Sequence, residues 1–193
     1  MSLSRQQWTL LGIFALFFGP VILVMMMRSS WWQYQPASLK NNGLLVQPPV
    51  PLQLDIAAHS KGNWLILYTV GSTCGQPCID EITALRQIHR AAGRRSDQLA
   101  IVLLSEVGFD SGQQQQLEQI YPKFNLLVDT GGELLATLKT INQTIPSEQT
   151  GIADANTYVL DPNLNVILVY PAGANPNDIH KDLQRLLKLS DQE

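Results

Sequence analysis

The sequence predicts an α/β domain, a mixed sheet flanked by helices, joined to a membrane-spanning helix at its N-terminus. Three observations carry this. From Trp64 to Leu189, apolar runs of strand length alternate with runs of helical period. The only two cysteines, Cys74 and Cys78, share one loop where a strand run gives way to a helical run. Finally, Trp8 to Met27 is a run of 20 residues without a charge. As a helix it would be roughly 30 Å long, the thickness of a bilayer core.

The elements follow in order. Residues 1–7 form a short tail and 8–28 the predicted transmembrane helix. Eleven residues of the uncharged run are Leu, Ile, Val or Phe, which favours insertion by roughly 5 kcal/mol. The run is longer than a signal-peptide core and leaves through Met25-Met26-Met27-Arg28 rather than a small-residue cleavage site. Trp31, Trp32 and Tyr34 suit an interfacial belt. Residues 29–54 read as a linker, extended by Pro36, Pro48, Pro49 and Pro51, with Leu44 to Val46 as a brief edge strand. The domain then occupies 55–193.

Within it, Trp64 to Val70 reads as a strand, and Ile79 to Ala92 as a helix with Ile82, Leu85, Ile88 and Ala92 in register. Leu99 to Leu104 is apolar throughout, as in a central strand. A helix starting at Asp110 carries Leu117 and Ile120 and closes before Pro122. Asn125 to Val128 is a strand, and Gly131 to Ile141 a helix. Two strands, Thr157 to Leu160 and Val166 to Tyr170, flank the turn Asp161-Pro162-Asn163-Leu164-Asn165. Asn177 to Leu189 is a final amphipathic helix. This order predicts a sheet covered on both faces.

Charge narrows the partners. Without Arg5 and Arg28, 11 basic residues face 16 acidic ones. There is no basic stripe, which excludes nucleic acid as the expected partner. Arg5 and the terminal amine lie before the span, and the N-terminal tail is short. Both favour a cytoplasmic N-terminus and a domain facing the periplasm of a bacterial inner membrane. A cysteine pair suits that oxidising space.

The chemistry rests on Cys74-Gly75-Gln76-Pro77-Cys78. In a regular helix, positions four apart hold their Cβ atoms about 5–6 Å apart, wider than the ~3.8 Å of a disulfide. Cys74 is therefore expected in the loop. Pro77 suits the first helical position, which makes Gln76 the approximate cap and Cys78 a first-turn residue. First-turn N–H groups favour a thiolate there, while Asp80 and Glu81 oppose it. Three roles stay open for the pair: reversible thiol exchange, Cu(I) binding by two thiolates, or a fixed staple. A loop this small removes little chain entropy, which disfavours the staple. The histidines, His59, His89 and His180, read as surface residues. Asp154, Asp161 and Asp178 read as caps and turns rather than metal ligands.

The strand, the Gly71-Ser72-Thr73-Cys74-Gly75-Gln76-Pro77-Cys78 loop, the helix after it and the late Thr157-Tyr158-Val159-Leu160-Asp161-Pro162 strand resemble the Sco family. The anchor and the Gln47-Pro48-Pro49 stretch also resemble small membrane proteins associated with cytochrome oxidase assembly in proteobacteria. The resemblance implies a membrane-anchored, thioredoxin-like protein that helps mature the copper centre of cytochrome c oxidase. It implies an oxidase subunit or another assembly factor as partner. Sco proteins add a histidine ligand about five residues before the late-strand tyrosine; Ala153 stands there. Ala155 stands where thioredoxins place a cis-proline. Without the third ligand, Cu(I) is held more weakly, and weight shifts to exchange. In that reading the chain is a thiol-disulfide oxidoreductase needing no cofactor: Cys74 attacks a partner disulfide and Cys78 resolves it. The alternatives are a Cu(I) chaperone bound through Cys74 and Cys78, and a non-catalytic scaffold.

Overall fold

A computed structural model describes residues 7, 14, 16–20, 25, 41–52, 62–71, 73–145 and 155–190. It divides into two compact units, Met1–Lys40 and Asn41–Glu193. In the first, the described residues are helical, and the rings of Phe14 and Phe18, one turn apart, stack at 4.2 Å. Among the described residues no helix is long and apolar enough to cross a membrane. Most of the predicted span 8–28, with the Trp31, Trp32 and Tyr34 belt, lies outside them.

The second unit is a six-stranded mixed sheet in the order β1-β6-β5-β2-β3-β4. Its strands are β1 (Leu44–Pro51), β2 (Trp64–Val70), β3 (Leu99–Ser105), β4 (Phe124–Val128), β5 (Ala155–Leu160) and β6 (Asn165–Pro171). Its helices are α1 (Gln76–Ala91), α2 (Ser111–Ile120), α3 (Glu133–Thr144) and α4 (Pro176–Ser190). The strands β2, β3 and β4 run parallel, joined through α1 and α2. Strand β5 pairs antiparallel with β2, β6 with β5, and β1 with β6. The expected mixed sheet flanked by helices is therefore present.

Alternation along the strands sorts the core into two layers. Ile66, Tyr68, Ile101 and Leu103 face Ile82 and Leu85 of α1, Leu117 of α2 and Leu183 of α4. Leu65, Leu67, Val102 and Leu104 face Leu134, Leu138 and Ile141 of α3. Strands buried on both faces read as continuous apolar runs, which is why 64–70 and 99–104 were legible. At the start of α2, Asp110 accepts from the Gln113 backbone N–H at 2.7 Å, and Gln113 Oε1 accepts from the Asp110 N–H at 3.0 Å. This reciprocal cap satisfies two orphan donors.

Two departures from the sequence reading stand out. The linker predicted over 29–54 contains β1, which extends well past the expected Leu44 to Val46. Its three prolines, Pro48, Pro49 and Pro51, do not stop it because it is an edge strand, where one side needs no ladder donors. The pairing also shifts register between Leu45 and Val50, so Pro48 and Pro49 sit at the irregularity. Likewise His89 is buried, not on the surface. It lies seven residues after Ile82, on the same helical stripe. Its ring nitrogens meet the Leu99 carbonyl at 3.0 Å and the Tyr121 hydroxyl at 2.9 Å. A carbonyl only accepts, so Nε2 carries the proton and Nδ1 accepts from Tyr121.

Burial holds the His89 pKa below its ordinary value, although the Leu99 carbonyl pulls the other way. The folded state thus resists a proton that the unfolded chain takes up below about pH 6.5. Stability present above that pH is lost as pH falls toward the folded pKa, by up to about 1.4 kcal/mol per unit. The urea midpoint is expected to fall from pH 7 to pH 5, and to fall less in a His89→Gln variant.

Candidate functional site

The site sits where β2 ends and α1 begins. Cys74 lies in the loop and Cys78 in the first turn of α1, and the two form a disulfide with Cα atoms 5.2 Å apart. That spacing falls inside the range of about 4.4–6.8 Å that bonded cysteines occupy. The helix begins one residue earlier than expected. Gly75, not Gln76, is the cap, in extended conformation, and proline stands in the opening positions. The Ile79 N–H closes the first turn on the Gly75 carbonyl at 3.1 Å. Gly75 has no side chain to accept the N–H groups of Gln76 and Cys78. Those donors and the helix dipole remain available to a sulfur anion beside them.

Both cysteines are half-buried, so overall exposure does not rank them. Access does. Cys74 lines a groove with Val70, Gly71, Ile79, Phe109 and Leu117, between the α1 and α2 ends of the sheet. Cys78 is not part of that lining.

Glu81, one turn after Cys78, has a role that sequence reasoning missed. Its carboxylate accepts from the Tyr68 hydroxyl at 2.8 Å, the Asn156 amide at 2.6 Å and the Gly173 N–H at 2.7 Å. One side chain thereby ties the cysteine helix to β2, β5 and the loop leading into α4. Burial, then Glu81, pushes the Tyr68 phenol well above its ordinary pKa, so it stays a donor. The expectation that Glu81 opposes a thiolate is weakened, because its charge is already spread over three donors. Asn156 and Gly173 lie 75 and 92 residues away, and no local spacing announces such a cluster. Glu81→Ala leaves three donors without an acceptor and is expected to cost about 2 kcal/mol, measured by urea unfolding.

The remaining candidates do not join the cysteines. His89 is at the far end of α1, bonded toward the start of β3. His180 is on α4, beside Gln184. His59, Ala153 and Asp154 lie outside the described residues. Asp161 is a turn residue, accepting from the N–H groups of Asn163 and Asn165 at 2.9 and 2.8 Å. Asp178 opens α4 and pairs with Lys181. Among the described residues no group of three His, Cys, Asp or Glu could hold a metal. What the cysteines offer is two soft sulfur donors.

Fold and site together define a thioredoxin-like domain with a cysteine pair at the head of its first helix. The chain belongs to the family described as transmembrane-like, thioredoxin-like, C-terminal domain, whose model matches residues 64–190. Among curated proteins none matches the sequence. Solved structures share the fold at low identity. A SCO1/SenC family lipoprotein from Bacillus anthracis is 15% identical, with a TM-score of 0.51 over 73% of this chain and 98% of that one. A yeast mitochondrial 1-Cys peroxiredoxin is 17% identical, with a TM-score of 0.53 over 78% and 79%. A copper-bound ScoI from Arabidopsis thaliana is 18% identical, with a TM-score of 0.49 over 71% and 89%. The thioredoxin-like fold expected from the cysteine loop and the late strand is present.

Proposed function

We propose that the chain is a membrane-anchored thiol-disulfide oxidoreductase that assists assembly of the copper centre of cytochrome c oxidase. The observation that carries this reading is the bonded Cys74–Cys78 pair, half-exposed at a helix N-terminus and open to a groove through Cys74. In the reduced protein, the Cys74 thiolate attacks a partner disulfide and forms a mixed disulfide, and the partner's other sulfur leaves as a thiolate. Cys78 then attacks Cys74 Sγ, which releases the partner as a dithiol and closes the protein disulfide. Two electrons pass from protein to partner. A membrane dithiol system on the same side would restore the reduced pair.

The anchor over residues 8–28 and a periplasmic domain belong to this proposal, supported by the uncharged run and the family's description as transmembrane-like. The oxidase role is supported by the Sco resemblance of the cysteine loop. Trapping tests the whole reading. A Cys78→Ser chain should accumulate a mixed disulfide, through Cys74, with an oxidase subunit or assembly factor in intact membranes. No such adduct with any membrane protein would contradict it.

The donor set favours a second reading. Two thiolates within bonding reach suit Cu(I), which accepts low coordination by sulfur. Copper would then be cargo passed to the oxidase. One Cu(I) per reduced chain, retained against a strong chelator, would support this carrier over the oxidoreductase.

A further inference from the structure

Exposed acidic residues concentrate at one edge of the domain. Strands β2, β3 and β4 are parallel, so the residues that follow them meet at one edge, with the disulfide. Exposed there are Asp80 on α1, Glu106 and Asp110 after β3, and Glu133 at the start of α3. Among the described residues, the cation at this edge is Lys181, already paired with Asp178 at 3.4 Å. Lys139 on α3 is six residues past Glu133, about 9 Å further along the helix. At the opposite edge, where these strands begin, the exposed Arg90, Arg94 and Lys123 outnumber the exposed Asp97.

Apolar surface lies within the acidic rim. The groove that Cys74 lines is walled by Phe109 and Leu117. Beside it Val107 is 74% exposed and Val128 39%. A Cβ placed on Gly108 would lie 3.9 Å from the Val128 methyls, so the loop carrying Val107 rests on the end of β4. An apolar strip thus runs from the disulfide across the ends of β3 and β4. Exposed apolar residues grouped beside a reactive sulfur mark a contact surface.

We infer that this groove docks an extended, cationic protein segment that carries a cysteine pair, an apolar side chain entering beside Cys74 and basic residues meeting the acidic rim. The inference rests on the exchange reading and specifies its substrate class. Charge complementarity selects the occupant, because an acidic segment would meet only like charge, which slows encounter and weakens docking. The electron balance is that of the exchange reaction: two electrons pass from the Cys74/Cys78 dithiol to the segment's disulfide, which leaves as a dithiol.

The test uses the full chain, reduced, in neutral detergent, in single-turnover reactions. Three disulfides are compared: two otherwise identical peptides flanked by lysines or by glutamates, and uncharged bis(hydroxyethyl) disulfide. The neutral compound reports intrinsic thiol reactivity, so any effect of the acidic rim on the thiol itself cancels in the ratios. At low salt the lysine peptide is expected to react at least about tenfold faster than the glutamate peptide. That ratio should shrink toward one in about 0.5 M salt. In an Asp80→Lys, Glu106→Lys double variant, where two lysines offset the remaining Asp110 and Glu133, the preference should fall toward one, with rates taken relative to the neutral disulfide. Equal peptide rates beside a reactive neutral disulfide would overturn the docking inference and leave exchange standing. A neutral disulfide that does not react would overturn both.

Discussion

Reduced chain carrying Cys74→Ser is expected to lose reduction of a small neutral disulfide, with a fall in rate of at least about 100-fold. Attack requires a thiolate, and a serine hydroxyl does not ionise in this range. Cys78 alone is expected to react far more slowly, because it does not line the groove that opens at Cys74. Cys78→Ser should behave differently. Cys74 remains, so the first step proceeds and stops at a mixed disulfide, one adduct per chain, visible by mass. The two variants therefore separate attack from resolution. Equal loss in both, with no adduct in either, would contradict the assigned order. Full activity in both would leave the cysteines without a role in exchange.

Asp182→Ala is expected to cost about 3–5 kcal/mol, a large part of the stability of an ordinary domain. Asp182 is 1% exposed. It accepts from the N–H groups of Asn42 and Gly43 at 2.7 and 2.9 Å, the Asn42 amide at 3.1 Å and the Tyr170 hydroxyl at 3.0 Å. Arg185 pairs with it at 3.4 Å, half in solvent. Alanine would strand the buried Gly43 N–H and Tyr170 hydroxyl and leave the Asn42 and Arg185 donors to solvent. Asp182→Asn keeps the volume but turns one acceptor into a donor facing donors, so an intermediate loss is expected. The cluster also explains Gly43, where a Cβ would fall 2.5 Å from the Tyr170 ring. Asn42 and Gly43 lie where the chain enters β1, so the cluster fastens the point at which the proposed tether joins the domain. Urea unfolding of the two variants measures this. A loss under about 1 kcal/mol in Asp182→Ala would show that the network carries little of the fold.

The contrast between these two sites shows what a sequence discloses. Cys74 and Cys78 were legible because their chemistry is local: Pro77 marks a helix start, and a spacing of four places one sulfur outside it. Strands β2 and β3 were legible because burial on both faces leaves unbroken apolar runs. The extent of β1 was not, since Pro48, Pro49 and Pro51 look like breakers until an edge position and a register shift accommodate them. Glu81 and Asp182 were hidden for another reason. Arg185 apart, their partners come from 12 to 140 residues away, and a carboxylate in an amphipathic helix looks like solvated surface until the partner elements are placed. His89 was readable in principle. Its spacing of seven from Ile82 put it on the apolar stripe, but a histidine there needs partners that only the fold supplies.

The measurement that tests the central claim most directly is the redox equilibrium of the full chain with glutathione buffers, read by alkylation of free thiols and mass. A working exchange pair should pass reversibly between one disulfide and two thiols, both cysteines converting together, with a midpoint in the range of about −180 to −280 mV. A pair that stays oxidised well below about −300 mV, or a cysteine that never becomes alkylated, would identify a fixed staple and contradict the account.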